Sequence, residues 1–106
     1  MKRGEVWWAD LGTPPVRQPV LLLSRAEAYD VRSLVTVAQV TTRARRTASE
    51  VPLGAADGLP QDCVANLDTI ATIPKDCLKS PLAALNAKKI KEIDSAIRFS
   101  LGLNLV

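Results

Sequence analysis

Residues 34–42 read Leu-Val-Thr-Val-Ala-Gln-Val-Thr-Thr, and this stretch decides what kind of fold the chain adopts. Leu34, Thr36, Ala38 and Val40 alternate with Val35, Val37, Gln39 and Thr41. Side chains of a strand point alternately to opposite faces, so this pattern predicts a β-strand. Shorter segments of similar character flank it and are predicted to be strands too. They are Val6–Ala9, Pro19–Ser24, Ser49–Leu53, Cys63–Leu67, Thr69–Ile73 and Leu82–Leu85.

A different periodicity follows the last of these strands. Asn86 is a good helix N-cap, and Gly102 can close a helix at its C-terminal end. Between them apolar residues recur at spacings of three and four, which predicts one apolar helix face made of Ile90, Ile93, Ile97 and Leu101. Many short strands followed by one terminal helix predict a mainly β (α+β) fold: a curled antiparallel sheet or small barrel packed by a C-terminal helix.

The composition is that of an ordinary globular protein. The chain has 106 residues, of which 47% are hydrophobic and 24% charged, so we expect one domain spanning residues 1–106. The net charge of +3 mildly favours a polyanionic partner such as nucleic acid. The chain contains no histidine, which excludes ribonuclease chemistry of the two-histidine type and most catalytic zinc sites.

The sequence predicts a cytoplasmic protein that does not enter a membrane. The longest strongly apolar run, Val20–Leu23, is far too short to span a bilayer, and the N-terminus lacks the apolar core of a signal peptide. Cys63 and Cys77 are therefore expected to be reduced thiols. Trp7 and Trp8 are expected on opposite faces of the first strand, one in the core and the other partly exposed.

Several segments, in this order and spacing, resemble the MazF/PemK (Kid) toxins over nearly the whole chain. They are Arg3–Trp7 with Asp10-Leu11, Pro19–Ser24, Val40–Thr42, Gly58–Val64, and Glu92–Arg98 with Leu101–Leu103. The resemblance implies an SH3-like barrel ending in a helix, and a symmetric homodimer. It also implies an endoribonuclease that needs no metal or other cofactor and cuts single-stranded RNA by attack of the 2′-hydroxyl on the adjacent phosphorus. An antitoxin with an acidic, initially disordered tail is the implied partner.

The resemblance suggests which residues carry this chemistry. An arginine usually directly precedes the proline that opens the second strand, but Gln18 occupies that position and Arg17 lies one residue earlier. Arg17 is the candidate electrostatic clamp, provided that the loop or a bulge re-aims its side chain. Thr41 matches a threonine that can donate a hydrogen bond to a phosphoryl oxygen. Asp68 is the candidate general base, if burial raises its pKa towards neutrality.

Other polar residues are candidates for binding RNA. Arg43, Arg45 and Arg46 follow Thr41 in a connection that, by resemblance, borders the RNA groove. Further candidates are Gln18, Ser24, Arg25 and Asn66. An exposed tryptophan, Trp7 or Trp8, could stack a base. Each has a plainer reading: a solvated loop residue, a β-branched strand residue or a turn residue.

Two rival functions remain open at this point. The first is a toxin-fold variant that binds antitoxin or RNA without cutting, which Gln18 keeps under consideration. The second is a gyrase poison resembling CcdB, whose typical Trp-Gly-Ile ending is absent here, where the chain ends Leu103-Asn104-Leu105-Val106.

Overall fold

A computed structural model of the protein describes residues 1–103. The final three residues, which include most of the ending compared with CcdB, lie outside the described residues. The described chain forms six strands and two α-helices. In chain order they are β1 (Glu5–Asp10), β2 (Arg17–Leu22), α1 (Ala28–Val31), β3 (Leu34–Thr41), β4 (Glu50–Leu53), β5 (Cys63–Pro74), β6 (Leu78–Ala84) and α2 (Ala87–Leu101). Short 3₁₀ turns occur at Ala55–Asp57 and Lys75–Cys77.

The strands form one antiparallel sheet in the order β4-β5-β3-β2-β1-β6. The alternating segment at residues 34–41 is therefore an interior strand, paired on both sides. The β1–β6 ladder shifts register twice, between Val6 and Trp7 and between Trp8 and Ala9. Such irregularities bend a sheet, and here they give an open, barrel-like curl. The predicted class, mainly β with a C-terminal helix, is confirmed.

The two strands predicted at residues 63–67 and 69–73 are one strand with a break in its pairing. Gln39 of β3 pairs with Asn66, whereas the adjacent Ala38 pairs with Ile70. Residues 67–69 therefore bulge from the ladder, and we call this segment the β5 bulge. The two predicted strands correspond to the paired halves on either side of it.

Helix α2 has the caps that the sequence predicts. The Asn86 side chain accepts a hydrogen bond from the backbone N–H of Lys89 at 2.8 Å, and Gly102 adopts a left-handed φ of 70°. Ile93 is buried against the sheet, but Leu101 is 59% exposed, so its assignment to the apolar face is wrong. The helix turns that position towards solvent before Gly102 ends it.

The start of the chain is tied to α2. Arg3 donates to a carboxylate oxygen of Asp94 at 2.7 Å and to the backbone carbonyl of Leu23 at 3.0 Å. Gly4 has a φ of 92°, and a Cβ there would lie 2.7 Å from the Ile90 side chain. Glycine at this position therefore allows both the turn and the close approach of the helix.

The sheet carries apolar side chains on both faces. The larger cluster lies under α2 and includes Val6, Leu21, Val40 and Ile93; the smaller includes Val20, Leu22 and Val37. Trp7 packs against the smaller cluster, as expected of one tryptophan, but it is half-buried rather than fully enclosed, and Trp8 is half-buried too. No helix within residues 1–103 has the length and hydropathy needed to cross a bilayer.

Candidate active site

A cleft opens where two neighbouring strands stop pairing. The β2–β3 ladder runs from Leu22/Val37 to Val20/Gln39 and is not continued to Pro19. Proline has no N–H to donate, so it ends a ladder readily. The strand ends beyond this point, Arg17–Pro19 and Val40–Thr42, line a cleft of about 530 Å³.

Four of the predicted site residues line this cleft: Arg17, Gln18, Thr41 and Arg43. They come from the start of β2, the end of β3 and the connection after β3. Trp8, one of the two tryptophans that could stack a base, lines the cleft as well. Residues that the sequence argument did not place in the site complete the lining. They are Pro15, Pro19, Gln39, Val40, Thr42, Leu59, Pro60, Gln61, Cys63 and Leu82.

The side chain of Arg17 is held by two neighbours on the sheet. Its Nη2 donates to the hydroxyl of Ser80 at 3.1 Å, and its guanidinium carbon lies 5.6 Å from the centroid of the Trp8 ring. The ladders explain this, because Trp8 pairs with Pro19 on one side and with Ser80 on the other. Arg17 lies two residues from Pro19 and so shares the face of Trp8. Its guanidinium is thus oriented, and it forms no ion pair with a carboxylate of residues 1–103.

Gln18 belongs to the opposite face of β2, yet it lines the same cleft as Arg17. A one-residue offset normally separates two side chains across a sheet. Here β3 no longer pairs with this end of β2, so side chains on both faces of β2 reach the cleft. Gln18 Nε2 also donates to the Pro15 carbonyl at 3.1 Å, which ties the amide to the preceding loop. Arg17 therefore reaches the cleft without a bulge that redirects its side chain.

Thr41 is half-buried on the other wall of the cleft. Its hydroxyl oxygen accepts a hydrogen bond from the backbone N–H of Arg43 at 3.2 Å. The hydroxyl proton remains available to a ligand, and the same bond shapes the start of the basic connection. Thr41 and Arg43 therefore approach the cleft as one structural unit.

Asp68 lies in the β5 bulge and is not among the residues, within the described chain, that line the cleft. It is exposed, and it accepts a hydrogen bond of 2.5 Å from the hydroxyl of Ser49. That bond, followed by one from Ser100, lowers the pKa of Asp68 below its ordinary value. A general base needs a pKa nearer neutrality. The condition under which Asp68 was expected to act as the base is not met.

Asn66, Arg45 and Arg46 are likewise placed away from the cleft lining in residues 1–103. The Asn66 side chain accepts from the backbone N–H of Asp68 at 2.9 Å and so shapes the β5 bulge. One carboxylate oxygen of Glu50 accepts from the backbone N–H groups of both Arg45 and Arg46, each at 2.8 Å. Glu50 therefore fixes the backbone of the basic connection, in which Arg46 has a left-handed φ of 58°.

Ser24 and Arg25 are placed at the wrong end of β2 for this site. Ser24 lies beyond the end of the strand, seven residues from Arg17, which is about 23 Å along an extended chain. Its hydroxyl accepts from the backbone N–H of Thr36 at 2.8 Å, a contact that stabilises the β2–β3 connection. Arg25 is exposed beside it. The structure therefore does not bring Ser24 and Arg25 together with the residues that line the cleft.

A second cleft, of about 830 Å³, adjoins the first, and both are lined in part by Thr42 and Cys63. Their charges differ. The second is lined by the acidic residues Glu50, Asp57 and Asp62 together with Arg46 and Lys89. The first has Arg17 and Arg43 and, in the part of the chain that the structure describes, no acidic side chain. Only the first suits a polyanion.

Cys63 lies between the two clefts but is a poor nucleophile. Burial raises the pKa of its thiol, and the negative charges of Asp57 and Asp62 raise it further. The reactive form of cysteine is the thiolate, which is disfavoured here at neutral pH. The thiol is better described as part of the cleft wall.

The loop before β5 supplies residues that sequence reasoning had not assigned to the site. The Gly58–Val64 segment contributed to the resemblance, but its side chains were given no role. Leu59 is buried, and Gln61 is exposed at the cleft. Gln39 was read only as a member of the alternating strand. The sequence signal that could have indicated Gln39 is Pro19, because a proline in one strand ends the pairing with the neighbouring strand.

Comparison with known proteins identifies the family of the chain. The family model described as "PemK-like, MazF-like toxin of type II toxin-antitoxin system" matches residues 2–101. The chain belongs to this toxin family. Among its MazF-like relatives, a probable endoribonuclease MazF2 of Mycobacterium tuberculosis is 35% identical, covering 96% of this chain and 99% of that protein. The endoribonuclease MazF of Staphylococcus saprophyticus is 32% identical, covering 100% of this chain and 95% of that protein.

Solved structures of MazF-like proteins show the same fold. An endoribonuclease from a mycobacterial species, in complex with its cognate antitoxin, matches with a TM-score of 0.89 at 28% identity. The match covers 100% of this chain and 99% of the other. The similarity therefore concerns the chain as a whole rather than one part of it.

Proposed function

We propose that this protein is the toxin of a toxin–antitoxin pair, an endoribonuclease that cuts single-stranded RNA without a metal ion. Its MazF relatives are named endoribonucleases, and they align with this chain along almost its entire length. The single structural observation that carries the proposal is the oriented Arg17 guanidinium, facing a cleft that also holds Arg43 and Thr41.

The reaction that these residues suit is attack of a ribose 2′-hydroxyl on the adjacent phosphorus. Negative charge builds up on the phosphoryl oxygens as the reaction proceeds, and preorganised donors stabilise it. The planar guanidinium of Arg17 can clamp two of those oxygens, while the Thr41 hydroxyl donates a further hydrogen bond. The products are a cyclic phosphate and a 5′-hydroxyl end.

Proton transfer is proposed to depend on Arg17 rather than on Asp68. The cleft, as lined by residues 1–103, contains neither a carboxylate nor an imidazole, and the pKa of the Cys63 thiol is raised. Arg17 is then the available donor to the leaving 5′-oxygen, and the 2′-hydroxyl loses its proton to solvent. We therefore expect log kcat to rise steadily between about pH 5 and 8 without a plateau set by a protein group.

The proposed toxin function also implies binding partners. A related toxin has been solved with its cognate antitoxin, and we propose that this chain binds an antitoxin whose acidic tail occupies the cationic cleft. A homodimer, a single domain spanning residues 1–106 and a cytoplasmic location complete the proposal. The pairing of a basic toxin, with a net charge of +3, and an acidic tail favours binding.

The direct test is cleavage of a long single-stranded RNA in EDTA, with the cut ends mapped. We expect 5′-hydroxyl ends, and we expect Arg17→Ala and Thr41→Ala to lose most of the activity. Lys88→Ala serves as the control, because Lys88 is exposed on α2 and lies outside the cleft.

Gln18→Arg separates the alternatives. If the natural protein is silent and Gln18→Arg cuts RNA, the chain is an inactive form of the toxin that retains its binding surfaces. If every variant is silent while the protein still binds an antitoxin or gyrase, the endoribonuclease proposal fails.

A further inference from the structure

All three glutamine residues of the chain lie in a single cleft. The sequence contains glutamine only at positions 18, 39 and 61, and each of them lines the cleft that holds Arg17. They come from three separate parts of the fold: the start of β2, the interior of β3 and the loop before β5. The fold therefore gathers every long neutral amide around the candidate site.

Two of these amides are free to bind a ligand. Within the described residues, the side chains of Gln39 and Gln61 make no hydrogen bond, whereas Gln18 donates to the Pro15 carbonyl. Gln39 is half-buried and Gln61 is exposed, so both remain open to the cleft. An amide offers a donor and an acceptor side by side, which matches the edge of a nucleobase better than a phosphate.

The charged and the neutral groups of the cleft thus suit different parts of an RNA strand. Arg17 and Arg43 suit phosphate oxygens, which position a strand without reading its sequence. The amides suit the edges of unpaired bases, which carry the sequence. The half-buried Trp8 ring, beside Arg17, adds an apolar surface to the same cleft.

We propose that Gln39 and Gln61 are specificity-determining residues that read the edges of one or two bases next to the scissile phosphate. This inference rests on the proposed endoribonuclease function and goes beyond it, because it names the groups that choose where the RNA is cut. The ligand is an unpaired nucleobase of RNA.

The test is to sequence the cut sites in a random-sequence RNA library for the natural protein, Gln39→Met and Gln61→Met. Methionine keeps the length and flexibility of glutamine but removes its donor and acceptor. Loss of a two-bond contact to a base relaxes the preference at that position by between about 5-fold and 150-fold. We expect one position of the motif to relax in each variant, with the salt dependence of RNA binding unchanged because no charge is lost.

Two controls make the outcome decisive. Lys88→Met carries the same new side chain outside the cleft and should leave the motif as it is. Gln61 is exposed, so Gln61→Met tests the idea even if Gln39→Met folds poorly; melting temperatures identify such a case.

The result that overturns the inference is a natural protein that cuts a defined motif and a Gln61→Met variant that cuts the same motif with the same preference. A natural protein that cuts no RNA instead overturns the proposed function. In that case, equal affinity of the natural protein and both methionine variants for a panel of short RNA oligonucleotides overturns the inference as well.

Discussion

The cleft around Arg17 and the β5 bulge differ in what their polar groups already contact. In the cleft, the amides of Gln39 and Gln61 make no hydrogen bond within residues 1–103, and Arg17 donates to the Ser80 hydroxyl and lies over the Trp8 ring. In the bulge, Asp68 accepts from Ser49, and Asn66 accepts from the backbone of Asp68. Polar groups that bind one another stabilise the fold, whereas oriented groups left without charged partners can bind a ligand. The comparison separates two sets of residues that the sequence had joined in one site.

The strongest test of this contrast is the loss of Arg17. We expect Arg17→Ala to lower kcat about 100-fold, because removing one donor to a transition-state oxyanion costs about 3 kcal/mol. Single-turnover cleavage of a defined RNA measures the effect. Arg25→Ala, at the other end of β2, is the matched control and should retain full activity. A larger loss in Arg25→Ala than in Arg17→Ala would reverse the assignment of the site.

The β5 bulge should respond in stability instead. Ser49 is 1% exposed, and its hydroxyl bonds both Thr47 and Asp68. Ser49→Ala removes these bonds and should lower the free energy of unfolding by about 1–2 kcal/mol. A thermal melt should show a Tm lower by several degrees, with kcat unchanged at a temperature where the variant is folded. A similar drop in the exposed control Ser95→Ala would argue against this explanation.

A smaller effect is expected from Arg43, whose side chain lines the cleft but makes no hydrogen bond or ion pair within residues 1–103 that would hold it in place. Arg43→Ala should weaken binding of an uncleavable 2′-O-methyl RNA. It should also reduce the slope of log K against log salt by about 0.7, the value for one phosphate contact on a single strand. Titrations at several salt concentrations measure this slope. Arg32→Ala, outside the cleft at the opposite end of β3, should leave it unchanged.

The smallest change is expected for Asp68→Asn. Because the pKa of Asp68 is lowered in the folded protein, its contribution to stability is present above the ordinary value of 3.8 and is lost as the pH falls through the lowered pKa. The difference in Tm between the natural protein and Asp68→Asn should therefore shrink below about pH 4. Cleavage at pH 7 should be nearly unaffected. A large loss of kcat would return Asp68 to the active site.

Local patterns predicted most of the secondary structure. The alternation at residues 34–42 and the three- and four-residue spacing before Gly102 identified an interior strand and the terminal helix. These patterns predicted two strands where the structure has the single strand β5, because a bulge interrupts the alternation of side chains in the same way that a turn does. The same patterns placed Leu101 on the apolar face of the helix, but Leu101 is exposed. The end of a helix can extend beyond the core without any change in the spacing of apolar residues.

The site was harder to predict than the elements. Arg17, Gln18, Thr41 and Arg43 were selected by resemblance, and the structure brings them together. Ser24 and Arg25 were included because they end a strand, but antiparallel strands have two ends and the cleft lies at the other one. Gln39 and Gln61 were overlooked because no spacing rule relates a residue of β3 to one in the loop before β5.

The sequence by itself determined the strand-rich class, the helix with its caps, the absence of histidine and the membership of the toxin family. Periodicity, capping and composition are local properties of the sequence, so they can be recognised without knowing which elements are neighbours in the folded structure. Only the tertiary structure decided where the β2–β3 ladder ends and which side chains line the gap beyond it. The contacts of Arg17 with Trp8 and Ser80, and of Asp68 with Ser49, depend on strand order and register. Those are set by the packing of the whole sheet.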